Sequence, residues 1–343
     1  MIVGADNSRA FQSAPQSAEL TSRFPADTMR CSARMRTEAL TVTAADGTPL
    51  HVYHWSSDTA QSPRAVVHIA HGLAEHAARY SRLAEALVAA GYEVYANDHR
   101  GHGKTASGAA DLGFFAARDG WRRVVDDLWL HVRRASERHE GKPVVLLGHS
   151  MGSFLSQQVM YEHGDALAAV VLSGSSGKPP AIAAVGAVLA RGLRITGGAR
   201  GRSDLLNGLA FGEYNKPFRP NRTAFDWLSR DEAEVDKYVA DPWCGFVSTT
   251  QLWIDVIGAL GALARPENQA RIPKSLPVYL VTGSDDPVSA QTRGVEQLRG
   301  AYLAAGMTRV AHRYYPGARH EIFNETNRDA VTQDVIDWLS SAA

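Results

Sequence analysis

The chain has 343 residues, 45% of them hydrophobic, with 36 basic and 36 acidic side chains and a formal net charge of zero. That length suits one large α/β domain with an insertion, or two domains, and the hydrophobic content supports a sizeable core. The balanced charge supplies no positive field to neutralise phosphates and so excludes nucleic acid as a partner, two cysteines (Cys31 and Cys244) make no disulfide framework, and no run of about 18 apolar residues is present to span a membrane.

Residues 1–34 are rich in Ser, Ala, Gln and Arg and show no period, which predicts a disordered tail, with Met29 and Met35 as candidate starts. No basic stretch followed by an apolar core marks a secretory signal, and the cysteine usage fits a reducing compartment, so the expectation is a cytoplasmic protein. Ala39 to Thr43 and Leu50 to Trp55 alternate around Asp46-Gly47, the pattern of a hairpin. Arg64 to Ala70 reads as a buried strand ending in His71-Gly72. Tyr80, Leu83, Leu87 and Val88 then repeat at helical spacing up to a capping Gly91. Tyr92 to Asn97 is the next strand and exits into the loop Asp98 to Gly103. Trp121, Val124, Val125, Leu128, Val132 and Ala135 mark a long amphipathic helix, whose polar side carries Arg122-Arg123 and Arg133-Arg134. A short apolar run, Val144 to Leu147, leads through Gly148-His149-Ser150-Met151-Gly152 into a helix ending near Gly164, and Ala168 to Ser173 is another strand.

The alternation then stops. Residues 175–273 offer helix and loop but no convincing strand. It resumes with a strand at Val278 to Thr282, a helix near 291–305, a strand at Val310 to Tyr314 and a last helix with Val331, Val335, Trp338 and Leu339. The predicted fold class is α/β: a mostly parallel sheet flanked by helices, its core built from residues 35–174 and 274–343, with a helical cap inserted at 175–273.

Gly148 to Gly152 is G-x-S-x-G between a strand and a helix. A serine on that tight turn projects its hydroxyl out of the sheet, and the crowded backbone requires glycine two residues before and after. The following helix aims its N-terminal N–H groups at the same spot. A serine alcohol needs a base, and the base needs a carboxylate to orient it. In this architecture both come later in the chain, beyond strand ends, in the order acid then His. His320, just past the last strand, is the candidate base. Asp285 and Asp286, after the strand at 278–282, compete for the acid role. The oxyanion of the reaction needs two backbone donors: Met151 N–H, directly after the serine, and Leu73 N–H, in the loop after His71-Gly72. Glu75 and Arg79 stand four apart beside that loop. They read equally well as a plain ion pair on a helix surface or as hydrogen-bond partners of a polar substrate head group.

Two other groupings are discounted. Asp98, His99 and His102 lack the frame and the further ligands of a metal site, so no metal or cofactor is expected. Asp231, Glu232, Glu234 and Asp236 read as a solvated helix face of the cap, although they are the one candidate for binding a substrate amine.

Taken together, His71 to Tyr80 (HGLAEHAARY), Asp98 to Gly103 (DHRGHG), Gly148 to Gly152 (GHSMG), Gly283 to Asp286 (GSDD) and Arg319 to Glu325 (RHEIFNE) resemble the motifs of monoacylglycerol lipases and related bacterial lysophospholipases. The resemblance covers about residues 37–340. It implies the α/β-hydrolase fold, the acid role for Asp286, and a serine carboxylester hydrolase that cleaves monoacylglycerol or lysophospholipid-like esters through an acyl-enzyme. Ser153 departs from the family, where many relatives carry glycine. Membership also implies an apolar acyl tunnel under the cap. Ala181 to Leu193 is short, apolar and helix-compatible. It reads either as a helix buried between cap and core or as a lid making transient contact with a membrane surface. Two rival functions share the fold: a prolyl-type aminopeptidase, and a ligand-binding protein without turnover. Acyl length, head group and oligomeric state are not legible.

Overall fold

The computed structural model describes residues 34–59, 61–179 and 182–342. Of the expected tail only Arg34 falls among them, and Met29 and Cys31 lie outside. The leading hairpin is longer than its alternation predicts: β1 is Met35–Thr43 and β2 Pro49–Ser57, paired antiparallel across the turn at Gly47, where φ is +85°. Then follow β3 (Val66–Ala70), α1 (Ser81–Ala89), β4 (Glu93–Asn97), α2 (Gly120–Arg138), β5 (Val144–His149), α3 (Met151–His163) and β6 (Ala169–Ser173). Between β6 and β7 the described residues carry α4 (Ile182–Gly197), α5 (Asp204–Phe211), α6 (Glu232–Ala240), α7 (Thr250–Leu263) and α8 (Pro266–Gln269), and no strand. The chain closes with β7 (Val278–Gly283), α9 (Arg293–Ala304), β8 (Val310–Tyr315) and α10 (Arg328–Ala342).

The eight strands form one sheet in the order β1-β2-β4-β3-β5-β6-β7-β8, antiparallel for the first two pairings and parallel from β4 onward. The buried strands alternate faces with period two. Val144 and Leu146 of β5 pack with α2, α3 and α7, whereas Val145 and Leu147 pack with α1 and α10. Covering both faces makes the central strands continuous apolar runs, and the loops at their carboxyl ends become the place where polar chemistry can gather.

A buried arginine ties the hairpin to the body. Arg100 makes paired hydrogen bonds to Asp127 of α2 (2.5 and 3.0 Å) and to Asp46 in the β1–β2 turn (2.7 and 2.9 Å). The arginines of α2 lie on its outer side as expected, Arg122 pairing with Glu162 at 2.7 Å. No described helix is long and apolar enough to cross a membrane.

Candidate active site

Ser150 occupies the turn between β5 and α3 with φ 51° and ψ −119°, a positive φ that a serine adopts only under tertiary constraint. The constraint is visible: a side chain at Gly152 would run into the carbonyls of Ala70 and His71 at the end of β3, and one at Gly148 into Gly152. The Ser150 N–H donates to the Ser173 carbonyl (2.9 Å), which ties the turn to β6. Ser153, the departure from family pattern, donates to the Ser150 carbonyl (2.6 Å) and has Ser175 Oγ at hydrogen-bond distance (2.8 Å), so its hydroxyl braces the same turn.

His320, beyond β8, meets Asp286, beyond β7: Nδ1 to Oδ1 is 2.9 Å, with both side chains buried. Asp286 also accepts from Val288 N–H (2.9 Å) and Thr282 Oγ1 (2.8 Å). Asp285 is exposed and bonds Ser284 instead. Burial works to lower the proton affinity of His320, but the charge and hydrogen bond of Asp286, with Glu321 and Glu75 behind them, outweigh it and hold the imidazole above its ordinary value. Burial likewise works to raise Asp286. The His320 charge, then the hydrogen bonds from His320, Thr282 and Val288, prevail and lower it. His149, between Gly148 and Ser150, lies 4.6 Å from the His320 ring, and burial together with the His320 charge lowers its pKa to about 4.

Ser150, His320, Leu73 and Met151 all line one cavity of about 480 Å³. Met151 opens α3, so its N–H has no partner within the helix, and Leu73 lies in the loop after β3. Much of its lining comes from the segment between β6 and β7, including the apolar Leu206, Phe211, Trp227, Trp253, Val256 and Leu260.

Glu75 and Arg79 are not a surface pair. Arg79's side chain is 11% exposed, and it bridges Glu75 (2.6 Å) and, bidentately, Glu321 (2.6 and 2.6 Å). The two residues do not share a regular α-helix either, since a single 3-10 turn, Ala77–Tyr80, precedes α1. Burial opposes the Arg79 charge, but Glu321 and Glu75 outweigh it and the guanidinium stays protonated. Glu75 Oε1 accepts from Gly72 N–H (2.6 Å) and Tyr80 Oη (2.7 Å), so the network fixes the loop that carries Leu73 and the loop that carries His320 to one guanidinium. Glu75 and Glu321 reach the cavity wall and Arg79 does not.

The insertion grips both loops, which the sequence reading missed. Tyr238 Oη (2.8 Å) and Gly245 N–H (2.9 Å) both donate to the carbonyl of Ala74, itself at φ 56°. Arg79 lies 4.8 Å over the Tyr238 ring, and the carbonyls of Trp227 and Leu228 accept from His320 and Glu321 N–H. The aromatic residues at 225, 227 and 238 were the available signal, but nothing in their spacing says which loop they meet. The acidic cluster serves elsewhere: Asp231 caps α6 and pairs with Arg328, Glu234 pairs with Arg82 and Lys237, and Asp236 with Arg222. None of the four, Glu232 included, lines the cavity. Asp98 spends its carboxylate on Ala77 and Lys104 N–H (2.8 Å each), His71 Nε2 accepts from His99 N–H (2.9 Å), and Gly103 must be glycine because a side chain there would meet Asp98.

Residues 61–327 match the family described as "Serine aminopeptidase, S33". The chain is 32% identical to the monoacylglycerol lipase of Mycolicibacterium smegmatis over 295 residues, 84% of this chain and 91% of that one. It is 28% identical to the monoglyceride lipase of Mus musculus over 86% and 88% of the two chains. Among solved structures, a thermostable carboxyl esterase from Bacillus coagulans in complex with glycerol superposes with a TM-score of 0.82 at 26% identity, covering 89% of this chain and 98% of that one. A soluble variant of the Saccharomyces cerevisiae monoglyceride lipase superposes at 0.68 with 22% identity over 93% and 99%, a likeness of fold. An elbow serine at the end of a parallel strand, a buried His–carboxylate pair beyond two others and these matches lead to one conclusion: the chain is a hydrolase of the α/β-hydrolase fold and belongs to the "Serine aminopeptidase, S33" family.

Proposed function

We propose that this hydrolase cleaves single-chain acyl esters of the monoacylglycerol type, with Ser150 as nucleophile, His320 as general base and then acid, Asp286 as its orienting carboxylate, and Leu73 and Met151 N–H as the oxyanion donors. Ser150 Oγ attacks the ester carbonyl carbon while its proton passes to His320 Nε2. The tetrahedral oxyanion is held by the two amides. Collapse expels the alcohol, which takes the proton from His320, and water repeats the sequence on the acyl-enzyme. Asp286, on Nδ1, fixes the tautomer that leaves Nε2 facing the cavity and stabilises the imidazolium.

The observation that carries the ester reading is the character of the cavity. Ser150 and His320 share it with a lining that is mostly apolar, Leu206, Phe211, Trp253, Val256 and Leu260 among it, which suits an acyl chain with one reactive group. An aminopeptidase needs an unpaired carboxylate for the substrate amine. The lining carboxylates are Glu75 and Glu321, both bonded to Arg79, and Glu213, paired with Lys216 at 2.6 Å. The Arg79 pairing also weighs against Glu75 and Arg79 as head-group ligands; their task is to hold two loops.

The partner surface follows from α4. Only Gly186 and Ala190 of this helix are buried, so a helix sandwiched between insertion and core is not what forms. Ile182, Val185, Val188 and Ile195 are 50, 57, 70 and 86% exposed, and Ile182 also lines the cavity. In our reading that stripe rests on a lipid surface and draws substrate from it, as a peripheral contact.

Side-by-side turnover of monoacylglycerols of graded chain length, a lysophosphatidylcholine and a proline arylamide tests the substrate class. The monoacylglycerols should lead, and a faster arylamide would overturn the reading. Labelling by a fluorophosphonate probe, lost in Ser150→Ala, separates a working hydrolase from a binding protein.

A further inference from the structure

We propose that His54, Glu93 and His139 form a binding site for a divalent transition cation of the Zn²⁺ type at the edge of the sheet remote from the cavity. The three come from three elements. His54 lies on β2, Glu93 opens β4, and His139 follows the last residue of α2. One ligand atom from each lies within 4.8 Å of the others: His54 Nε2 to Glu93 Oε1 is 2.5 Å, and His139 Nε2 to the same oxygen is 4.0 Å. Two imidazoles and a carboxylate are a nitrogen–oxygen set suited to Zn²⁺ or Co²⁺.

Two further observations separate this grouping from an ordinary polar contact. His54 is oriented from behind. Its other nitrogen, Nδ1, faces Glu38 Oε2 at 3.3 Å across the β1–β2 pairing, and its ring stacks on Tyr95 at 4.3 Å. A carboxylate on the far nitrogen is the arrangement that turns a histidine's free edge toward a metal. Glu93, in addition, has no Lys or Arg partner among the described residues and meets only the two histidines as ion-pair partners there. Arg138 and Lys142 bear on His139, but neither occupies Glu93. The second grouping of this kind, His76, Asp241 and Cys244, is the poorer host. Arg79 stands beside it, and burial keeps the Cys244 thiol protonated.

The side chains of Glu93 and His139 are each 14% exposed, so an ion and its water have a way in. Binding would part His54 Nε2 and Glu93 Oε1, now hydrogen-bonded at 2.5 Å, to the roughly 3.3 Å that two ligands of one tetrahedral ion need, draw His139 toward them, displace the Tyr95 hydroxyl now on His139 Nε2 (2.8 Å), and staple the edge hairpin to β4 and the end of α2. The cation's role is therefore to stabilise the fold, not to take part in hydrolysis.

The test uses the full chain stripped with a chelator. One equivalent of Co²⁺ should develop a visible ligand-field band without the near-ultraviolet absorption of a cobalt–thiolate bond, and Zn²⁺ should abolish it by displacement. Zn²⁺ at ~100 times its dissociation constant should raise the melting temperature by about 4 °C. Both effects should vanish in His139→Ala and in Glu93→Gln and persist in Cys244→Ser, while soluble-ester turnover by His139→Ala stays at the parent rate and reports its folding. Equal Zn²⁺ stabilisation of His139→Ala, absence of any shift in the parent chain, or loss of binding in Cys244→Ser would each overturn the proposal.

Discussion

Two stretches of the same insertion behave in opposite ways. The stretch from Asp226 to Gly245 directs several of its polar groups at neighbouring loops. It bonds the loop after β3 through Tyr238 and Gly245, and the loop after β8 through the carbonyls of Trp227 and Leu228. Helix α4, a little earlier, turns apolar side chains outward, with Ile195 86% exposed. A buried polar contact costs free energy when it is left unmade, so it fixes geometry, whereas an exposed apolar side chain costs little structurally and waits for an apolar partner. Under the proposed function, the first stretch would align the reacting groups and the second would meet the lipid they act upon.

That contrast can be broken at four depths. The deepest is the chemistry both stretches serve: Ser150→Ala should cut kcat by roughly 10⁶-fold while a non-hydrolysable ether analogue still binds. A comparable loss of binding would mean that the cavity, not the nucleophile, had been damaged. Next, Asp286→Asn should lower kcat/KM by on the order of 10⁴-fold. Its pH profile carries the sign. His320 must be neutral to accept a proton, and Asp286 holds its pKa above 6.5, so the parent activity should rise with pH through an apparent pKa above that value. Without the carboxylate charge, burial dominates and the limb should move to lower pH. A limb that stays in place would show that another group sets it.

The third depth is the grip itself. Arg79→Ala leaves Glu75 and Glu321 buried without their common partner, a break expected to cost about 3–5 kcal/mol in urea unfolding, and turnover should fall because both loops loosen. Arg79→Lys should recover part of the stability and less of the rate, since an ammonium cannot make the bidentate pair with Glu321. The shallowest is the outward face. Val188→Asp should change stability by within about 0.5 kcal/mol and leave a dissolved short-chain ester untouched, yet lower turnover of vesicle-borne monoacylglycerol several-fold. Equal effects on both substrates would erase the distinction between the two stretches.

The motif residues were readable because each answers a local need. Gly148 leaves room for the first turn of α3 four residues on, Gly152 for the end of β3, and the hairpin turn needs Gly47 at positive φ. Strand and helix periods likewise come from neighbours in sequence, and the strand–helix alternation predicted a parallel sheet. The choice between Asp285 and Asp286 was not a local matter. Adjacent in sequence, they differ only in which one turns inward to His320, and family spacing rather than their own surroundings pointed to the second.

The sequence by itself determined the mostly parallel sheet with its flanking helices and pointed to candidate groups for acyl chemistry, because hydrophobic period and turn chemistry are properties of contiguous residues. Only the tertiary structure decided where Glu75 and Arg79 spend their charges, which face of α4 stays bare, and that a glutamate at the head of β4 lies between two histidines. Those outcomes depend on contacts between residues as far apart as Arg79 and Glu321, and no local spacing encodes which of many distant partners a side chain will meet.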